Sequence, residues 1–145
     1  MNTTQTTNDL IQVLEDGKEG FAKAAEAVKD SELKTLFRAY SAERAEMISE
    51  LFSVSSPEVQ DKKTTIAGAL HRGWIDLKSA LTSGDDHAIL AECERGEDHA
   101  VASYRKALEE SLDTPVRSVV ESQSTRILAV HNKVKELRDL SVAHS

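Results

Sequence analysis

Four acidic residues lie within the seven-residue stretch E-C-E-R-G-E-D at positions 92–98. The stretch interrupts a segment that otherwise predicts a core-facing helix, because apolar residues recur at helical spacing on both sides of it. Carboxylates at such a position can bind a metal ion, line a solvated helix face or pair with a cation. The residues that face them from the other helices decide among these three kinds of chemistry.

A carboxylate-bridged di-metal site in a helical bundle takes one Glu from each of two helices and a Glu-x-x-His motif from each of the other two. This chain departs from that pattern, because Glu43 is followed three residues later by Glu46 instead of His. His131 is likewise preceded, three residues earlier, by Leu128 instead of Glu. An unconventional metal site would therefore have to use Glu43, Glu94, Glu97 and His131.

One acid of the stretch, Glu97, falls near the centre of its predicted apolar stripe when residues advance by about 100° along a helix. Arg44 takes the corresponding inward position on the second predicted helix, and a guanidinium can bind a carboxylate through two parallel hydrogen bonds. Counting from the predicted turns places Gln123 and Lys18 within about two helical turns of this pair. The sequence therefore predicts a buried polar layer of Arg44, Glu97, Gln123 and Lys18, and no bound metal.

The other residues of the stretch have separate interpretations. Glu92 and Asp98 are predicted to lie on the surface, whereas Glu94 lies at the edge of the stripe and fits either interpretation. Cys93 is the one cysteine of the chain, and its apolar neighbours favour a small buried side chain over a reactive thiol. No nucleophile is paired with a base by local spacing, so the sequence indicates no catalytic residue and favours a protein that is not an enzyme.

Hydrophobic periodicity predicts an all-α chain that forms one domain over residues 1–145. The short turn after the first helix makes the first two helices antiparallel neighbours. A long connection follows the second helix and carries a helix of its own, which Trp74 is expected to anchor on the bundle. Such a connection favours a ferritin-like four-helix bundle with a long crossover containing an additional helix. The alternative is a simple up-down-up-down bundle with that helix folded across its side. The predicted helices cover about residues 7–29, 32–54, 65–82, 86–111 and 115–140.

Composition restricts the partners and the compartment. The chain has 25 acidic and 18 basic residues, for a net charge of −7, which argues against binding to nucleic acid or to an anionic membrane surface. The sequence shows no long apolar run and no basic, apolar leader, and together with the single cysteine this favours the cytoplasm. No protein partner is indicated, and a homodimer is the one assembly considered.

Three blocks of sequence resemble a bacterial family of four-helix-bundle proteins, a domain of unknown function within the ferritin-like superfamily. The resemblance covers nearly the whole chain and implies the ferritin-like fold. It implies no established activity, although the wider superfamily is known for di-iron sites that act in iron oxidation and in oxygen or peroxide chemistry. The blocks are E-D-G-K-E-G-F at 15–21, A-L-H-R-G-W-I-D-L-K at 69–78 and C-E-R-G-E-D-H-A at 93–100.

Three functional hypotheses follow. The first is a non-catalytic cytoplasmic bundle without a cofactor, in which the ion-pair layer stands where a metal site has degenerated. The alternative is a di-iron-type oxidase or iron-handling protein, which would hold iron or another divalent metal in the unconventional carboxylate site. The third is a small-molecule binder with a pocket beside Tyr40, Tyr104 and Gln123.

Overall fold

Four long helices pack as a bundle in the computed structural model of this chain, which describes residues 2–59 and 73–143. A short fifth helix lies in the connection between the second and third long helices, so the predicted all-α bundle is confirmed. Within the two described ranges no residue belongs to a β-strand. The helices are α1 (Thr3–Ala27), α2 (Ser31–Val54), α3 (Leu77–Thr82), α4 (Asp86–Leu108) and α5 (Thr114–Ala143).

Contacts at the two ends of the bundle give the directions of its helices. At one end the backbone N–H of Lys29, which follows α1, donates to the Asp86 carboxylate at the start of α4 (2.8 Å). At the other end the N–H of Asp113, just before α5, donates to the hydroxyl of Thr3 (3.2 Å). Helix α1 therefore runs antiparallel to α4, and α2 runs parallel to α4. A bundle with one long crossover of this kind has the connectivity of ferritin-like folds.

Helix α1 begins at Thr3, earlier than the predicted start near residue 7. Asn2 accepts a hydrogen bond from the backbone N–H of Gln5 (2.8 Å), and the Gln5 side chain accepts one from the N–H of Asn2 (3.4 Å). This reciprocal capping box satisfies donors that a helix N-terminus otherwise leaves unpaired. The prediction was wrong here because Asn2 is the N-cap and Thr7, fully buried, lies within the helix.

The predicted helix over 65–82 is shorter in the described part of the chain, and its beginning, within residues 60–72, lies outside the described residues. Residues 73–76 are not helical, and the helix covers only Leu77–Thr82. Gly73 has a φ of +87°, a left-handed conformation that is foreign to an α-helix interior and suits glycine. The backbone N–H of Asp76 donates to Glu92 instead of to a helical carbonyl (2.7 Å). A glycine turn and a tertiary hydrogen bond therefore replace the predicted helical turn.

The hydrophobic core forms two clusters, which follow one another along the bundle axis. The first cluster contains α1 residues up to Leu14 and α2 residues from Met47 onward. The second contains α1 residues from Phe21 onward and Phe37 of α2. Arg44 and Glu97 lie at the level where the clusters meet, since each falls between the last residue of one cluster and the first residue of the other on its helix. None of the helices in the described ranges is long and apolar enough to cross a bilayer.

Candidate functional site

Arg44 of α2 and Glu97 of α4 form an ion pair at the bundle centre, and both side chains are 0% exposed. Nη1 of Arg44 donates to Oε2 of Glu97 at 3.0 Å, and Nη2 donates to Oε1. The guanidinium thus binds the carboxylate through two parallel hydrogen bonds, the arrangement that is strongest for this kind of pair. The buried ion pair that the sequence predicts is present in the structure.

Helix α1 provides the space and the aromatic surface that the guanidinium needs. The Arg44 guanidinium carbon lies 5.4 Å from the centroid of the Phe21 ring, within the range of a cation–π interaction. A Cβ atom added at Gly17 would lie 2.6 Å from Nη1 of Arg44. Glycine at position 17 therefore leaves room for the arginine head group, which would have to shift if a side chain were present there.

Gly17→Ala is expected to lower the free energy of unfolding by about 1–3 kcal/mol. Alanine ordinarily stabilises a helix interior relative to glycine, so a loss would show that the contact with Arg44 outweighs helix propensity. Chemical denaturation followed by circular dichroism measures the change. In an Arg44→Met background, which lacks the guanidinium, the same substitution should cost less, and an equal cost in both backgrounds would contradict this explanation.

Gln123 of α5 extends the polar layer and links three helices. Its amide oxygen accepts a hydrogen bond from the hydroxyl of Tyr104 (2.8 Å), and its amide nitrogen donates to the carbonyl of Met47 (2.9 Å) and to the carboxylate of Glu50 (3.0 Å). Both ends of this fully buried amide thus bind protein groups. The site that a small-molecule pocket would use is therefore occupied by a hydrogen-bonded network.

Lys18 does not belong to the buried layer, so the prediction for this residue was wrong. Its side chain is 36% exposed, and its ammonium lies 3.5 Å from the carboxylate of Glu15 on the same helix. A lysine at the edge of an apolar stripe can bury its methylene stem and keep the charge in water. At this position α1 instead contributes a backbone group, since the carbonyl of Lys18 accepts a hydrogen bond from the hydroxyl of Ser41 (2.9 Å).

The four residues of the alternative metal site do not come together. Both oxygens of Glu97 bind Arg44, and Glu43 faces Nε of Arg126 at 3.7 Å. Of the four, Glu94 and His131 belong to one group of neighbouring ligand atoms, whose third member is Asp98. A pair of metal ions at the bundle centre would need Glu97 as a ligand and would be repelled by the guanidinium that already neutralises it. The residues present at the centre therefore do not fit a carboxylate-bridged di-metal group.

Glu92 is buried, with 2% of its surface exposed, although the sequence predicted a surface position. Its carboxylate accepts the backbone N–H of Asp76 (2.7 Å) and lies 3.2 Å from the guanidinium of Arg95. Burial raises the pKa of Glu92, and the hydrogen bond and the nearby Arg95 partly offset that rise. The prediction was wrong because the crossover segment covers this face of α4. Asp98, by contrast, is exposed, as predicted.

Trp74 anchors the crossover segment on the bundle, as the sequence predicts, and is 2% exposed. Its indole lies over two helix glycines, since a Cβ at Gly20 would come within 2.7 Å of the ring and a Cβ at Gly96 would overlap it. The rings of Phe21 and Trp74 pack edge to face, with their centroids 5.3 Å apart. These glycines therefore make room for a side chain of the crossover.

Cys93 and Tyr40, two nucleophilic side chains near the ion pair, are held in their protonated forms. Burial raises the pKa of the Cys93 thiol well above its usual range, and the charges of Glu97 and Glu92 raise it further. Burial, together with the charge of Glu97, raises the pKa of Tyr40 to about 12. Since a thiolate or phenolate is the reactive form, neither side chain is activated at neutral pH.

Glu50 should add a pH-dependent contribution to stability. Its hydrogen bond from Gln123 lowers its pKa, and Arg126 lowers it further against the opposing effect of burial. A carboxyl group with a lower pKa in the folded state stabilises the fold above the unfolded pKa of about 4.3, and this contribution disappears as the pH falls through the folded value. Glu50→Gln is therefore expected to flatten the decrease in melting temperature below about pH 4.5. Glu46→Gln, at an exposed position on the same helix, is the control; an unchanged pH profile for Glu50→Gln would contradict the assignment.

Comparison with known proteins identifies one family. Residues 2–110 match the family model described as Domain of unknown function (DUF2383), over a range that includes α1 to α4 and both residues of the ion pair. No curated protein matches the chain.

Proposed function

Because this chain belongs to the DUF2383 family, we propose that it is a non-catalytic helical-bundle protein of the ferritin-like superfamily, with an ion pair where that superfamily holds its metals. The observation that carries the proposal is the Arg44–Glu97 pair, in which a guanidinium binds both oxygens of the acid at the bundle centre. The single long crossover supports the superfamily assignment, since ferritin-like bundles share it. A cytoplasmic location is part of the proposal and rests on the acidic composition and on the one, buried cysteine. A bacterial source is also proposed and rests on the resemblance to a bacterial family.

Electrostatics explain why this centre favours structure over metal chemistry. A buried carboxylate that lacks a partner loses its hydration, and binding a cation offsets that cost. In a di-metal protein the cation is the metal, whereas in this chain Arg44 provides a permanent positive charge that cannot dissociate. The protein therefore needs no bound ion to keep Glu97 charged within the core, and its role is one of interaction or structure.

A homodimer is the assembly that we propose for this role. Two large apolar side chains of α5 are exposed, Leu128 at 45% and Leu140 at 52%, and a second copy would cover such surface. Light scattering coupled to size-exclusion chromatography measures the mass directly. A mass of one chain at all concentrations would remove the homodimer and leave a protein partner as the remaining kind of interaction.

The alternative function is an iron-handling oxidase in which Arg44 turns away and Glu43, Glu94, Glu97 and His131 bind metal. The observation that supports this alternative is that ligand atoms of Glu94 and His131 lie within 4.8 Å of each other. The two functions differ in what Glu97 does, because it pairs with an arginine in the first and binds iron in the second.

Aerobic loading with Fe(II), followed by desalting and elemental analysis, distinguishes these functions. The wild type, Glu97→Gln, Glu43→Gln and the exposed control Glu46→Gln are compared, with folding checked by circular dichroism. Equal iron contents in all four proteins are expected. Near-stoichiometric iron in the wild type and in Glu46→Gln, lost in Glu97→Gln or in a folded Glu43→Gln, would overturn the proposed function in favour of the oxidase. Glu43→Gln keeps the test decisive if the Glu97 variant does not fold.

A further inference from the structure

We propose that Glu94, Asp98 and His131 form a binding site for one zinc ion between α4 and α5, separate from the buried ion pair. Each of these side chains offers one ligand atom, and the three atoms lie within 4.8 Å of one another. Glu94 and Asp98 stand one helical turn apart on α4, so both carboxylates lie on one face. His131 completes the set from α5.

The hydrogen bonds of His131 orient its ring between Asp98 and Asn132. Its Nε2 lies 2.6 Å from a carboxylate oxygen of Asp98, and its Nδ1 lies 3.1 Å from the side-chain oxygen of Asn132. Both ring nitrogens thus face acceptor atoms, although a neutral imidazole has a single N–H to donate. With Nδ1 as the donor to Asn132, zinc would take the place of the Nε2 proton that otherwise donates to Asp98. A metal-binding histidine has this arrangement, because a hydrogen bond at the second nitrogen orients the ring.

The donor set suits zinc. One imidazole nitrogen and two carboxylate oxygens are ligands that zinc binds at about 2.0–2.2 Å, and a tetrahedral arrangement at that length separates the ligand atoms by about 3.4 Å. Small rotations of the side chains close the observed separations to that value. Glu94 and His131 are mostly buried, at 13% and 17% exposure, whereas Asp98 is 59% exposed. Zinc thus reaches the site from solvent past Asp98, and water fills the fourth position.

Arg138 is the competitor that zinc has to displace. Its Nε lies 2.9 Å from a carboxylate oxygen of Glu94, but neither atom of this contact makes a hydrogen bond within the described residues. Arg138 also lies 3.1 Å from Asp139, so it keeps a partner when zinc binds Glu94. Removing the arginine should therefore strengthen zinc binding, whereas removing a ligand should weaken it.

Competition between the chelator-stripped full chain and a chromophoric zinc chelator tests the site. One zinc ion per chain is expected, with Kd raised about 10-fold or more in His131→Gln and in Asp98→Asn and lowered in Arg138→Gln. His87→Gln is the matched control, because His87 is also a helix histidine but its ring nitrogen pairs with the hydroxyl of Ser141. The Kd of this variant for zinc should equal that of the wild type. No zinc binding, or a Kd that the His131 and Asp98 substitutions leave unchanged, would overturn the proposal. Glu97 plays no part here, so this outcome is independent of the iron-loading experiment.

Discussion

Arg44→Met is expected to lower the free energy of unfolding by about 3–5 kcal/mol, because it leaves the carboxylate of Glu97 charged and without a partner inside the bundle. Both side chains are fully buried, so water cannot replace the lost hydrogen bonds. Glu97→Leu should cost a similar amount for the opposite reason, since it leaves a buried guanidinium unpaired. Since a native domain is usually stable by about 5–15 kcal/mol, either substitution should remove a large part of the stability, and a domain at the low end of that range would be close to unfolding at 25 °C.

The exposed ion pair of Arg117 and Glu121 provides the control. These residues lie one turn apart on α5, with 41% and 61% of their side chains exposed and 4.0 Å between their charged atoms. Glu121→Gln should change the free energy of unfolding by less than about 0.5 kcal/mol, as is usual for a surface pair. Urea denaturation of all three variants gives the comparison, and a loss in Arg44→Met no larger than that in Glu121→Gln would contradict the importance of the buried pair.

Trp74→Ala is expected to be the second most damaging substitution, with a loss of about 3–5 kcal/mol in the free energy of unfolding. The indole fills space that Gly20 and Gly96 leave open on two different helices, and neither glycine has a side chain that could fill the resulting cavity. Since Trp74 lies in the crossover segment, its removal should also weaken the contact of that segment with α1 and α4.

The adjacent residue Ile75 is the matched control for Trp74, because it is also large and apolar but is 66% exposed. Ile75→Ala should change stability by less than about 0.5 kcal/mol. Thermal and urea unfolding followed by circular dichroism suit both variants, since Trp74 is the one tryptophan and its fluorescence is lost in the variant. Equal effects of the two substitutions would show that the crossover does not depend on this anchor.

Those features of the fold that depend on local spacing could be predicted from the sequence. The apolar stripes place Arg44, Glu97 and Gln123 on inward faces because a helix advances by a fixed angle per residue. Arg44 and Glu97 are charged, and a buried charge needs a partner of opposite sign. This requirement was enough to predict the ion pair. Trp74 was predicted as an anchor for a similar reason, as a large apolar residue in a connection can be buried only against the bundle.

Features that depend on another segment could not be predicted in this way. Glu92 looks like a surface acid in the helical pattern, and only the crossover segment that covers it makes it a buried acceptor for Asp76. The left-handed turn at Gly73 is likewise a consequence of where the crossover meets α4. Lys18 was assigned to the polar layer from its level along the bundle axis. The prediction failed because a long flexible side chain at the edge of an apolar stripe can reach water.

The measurement that tests the central claim most directly is a double-mutant cycle of Arg44→Met and Glu97→Leu, with the free energy of unfolding measured for all four proteins. If the pair is the structural centre of the bundle, the double variant should recover most of the stability lost in either single variant, because two apolar side chains leave no buried charge. The coupling energy should then exceed about 2 kcal/mol. Losses that add to within about 0.5 kcal/mol would contradict the claim and would show that Arg44 and Glu97 stabilise the bundle independently of each other.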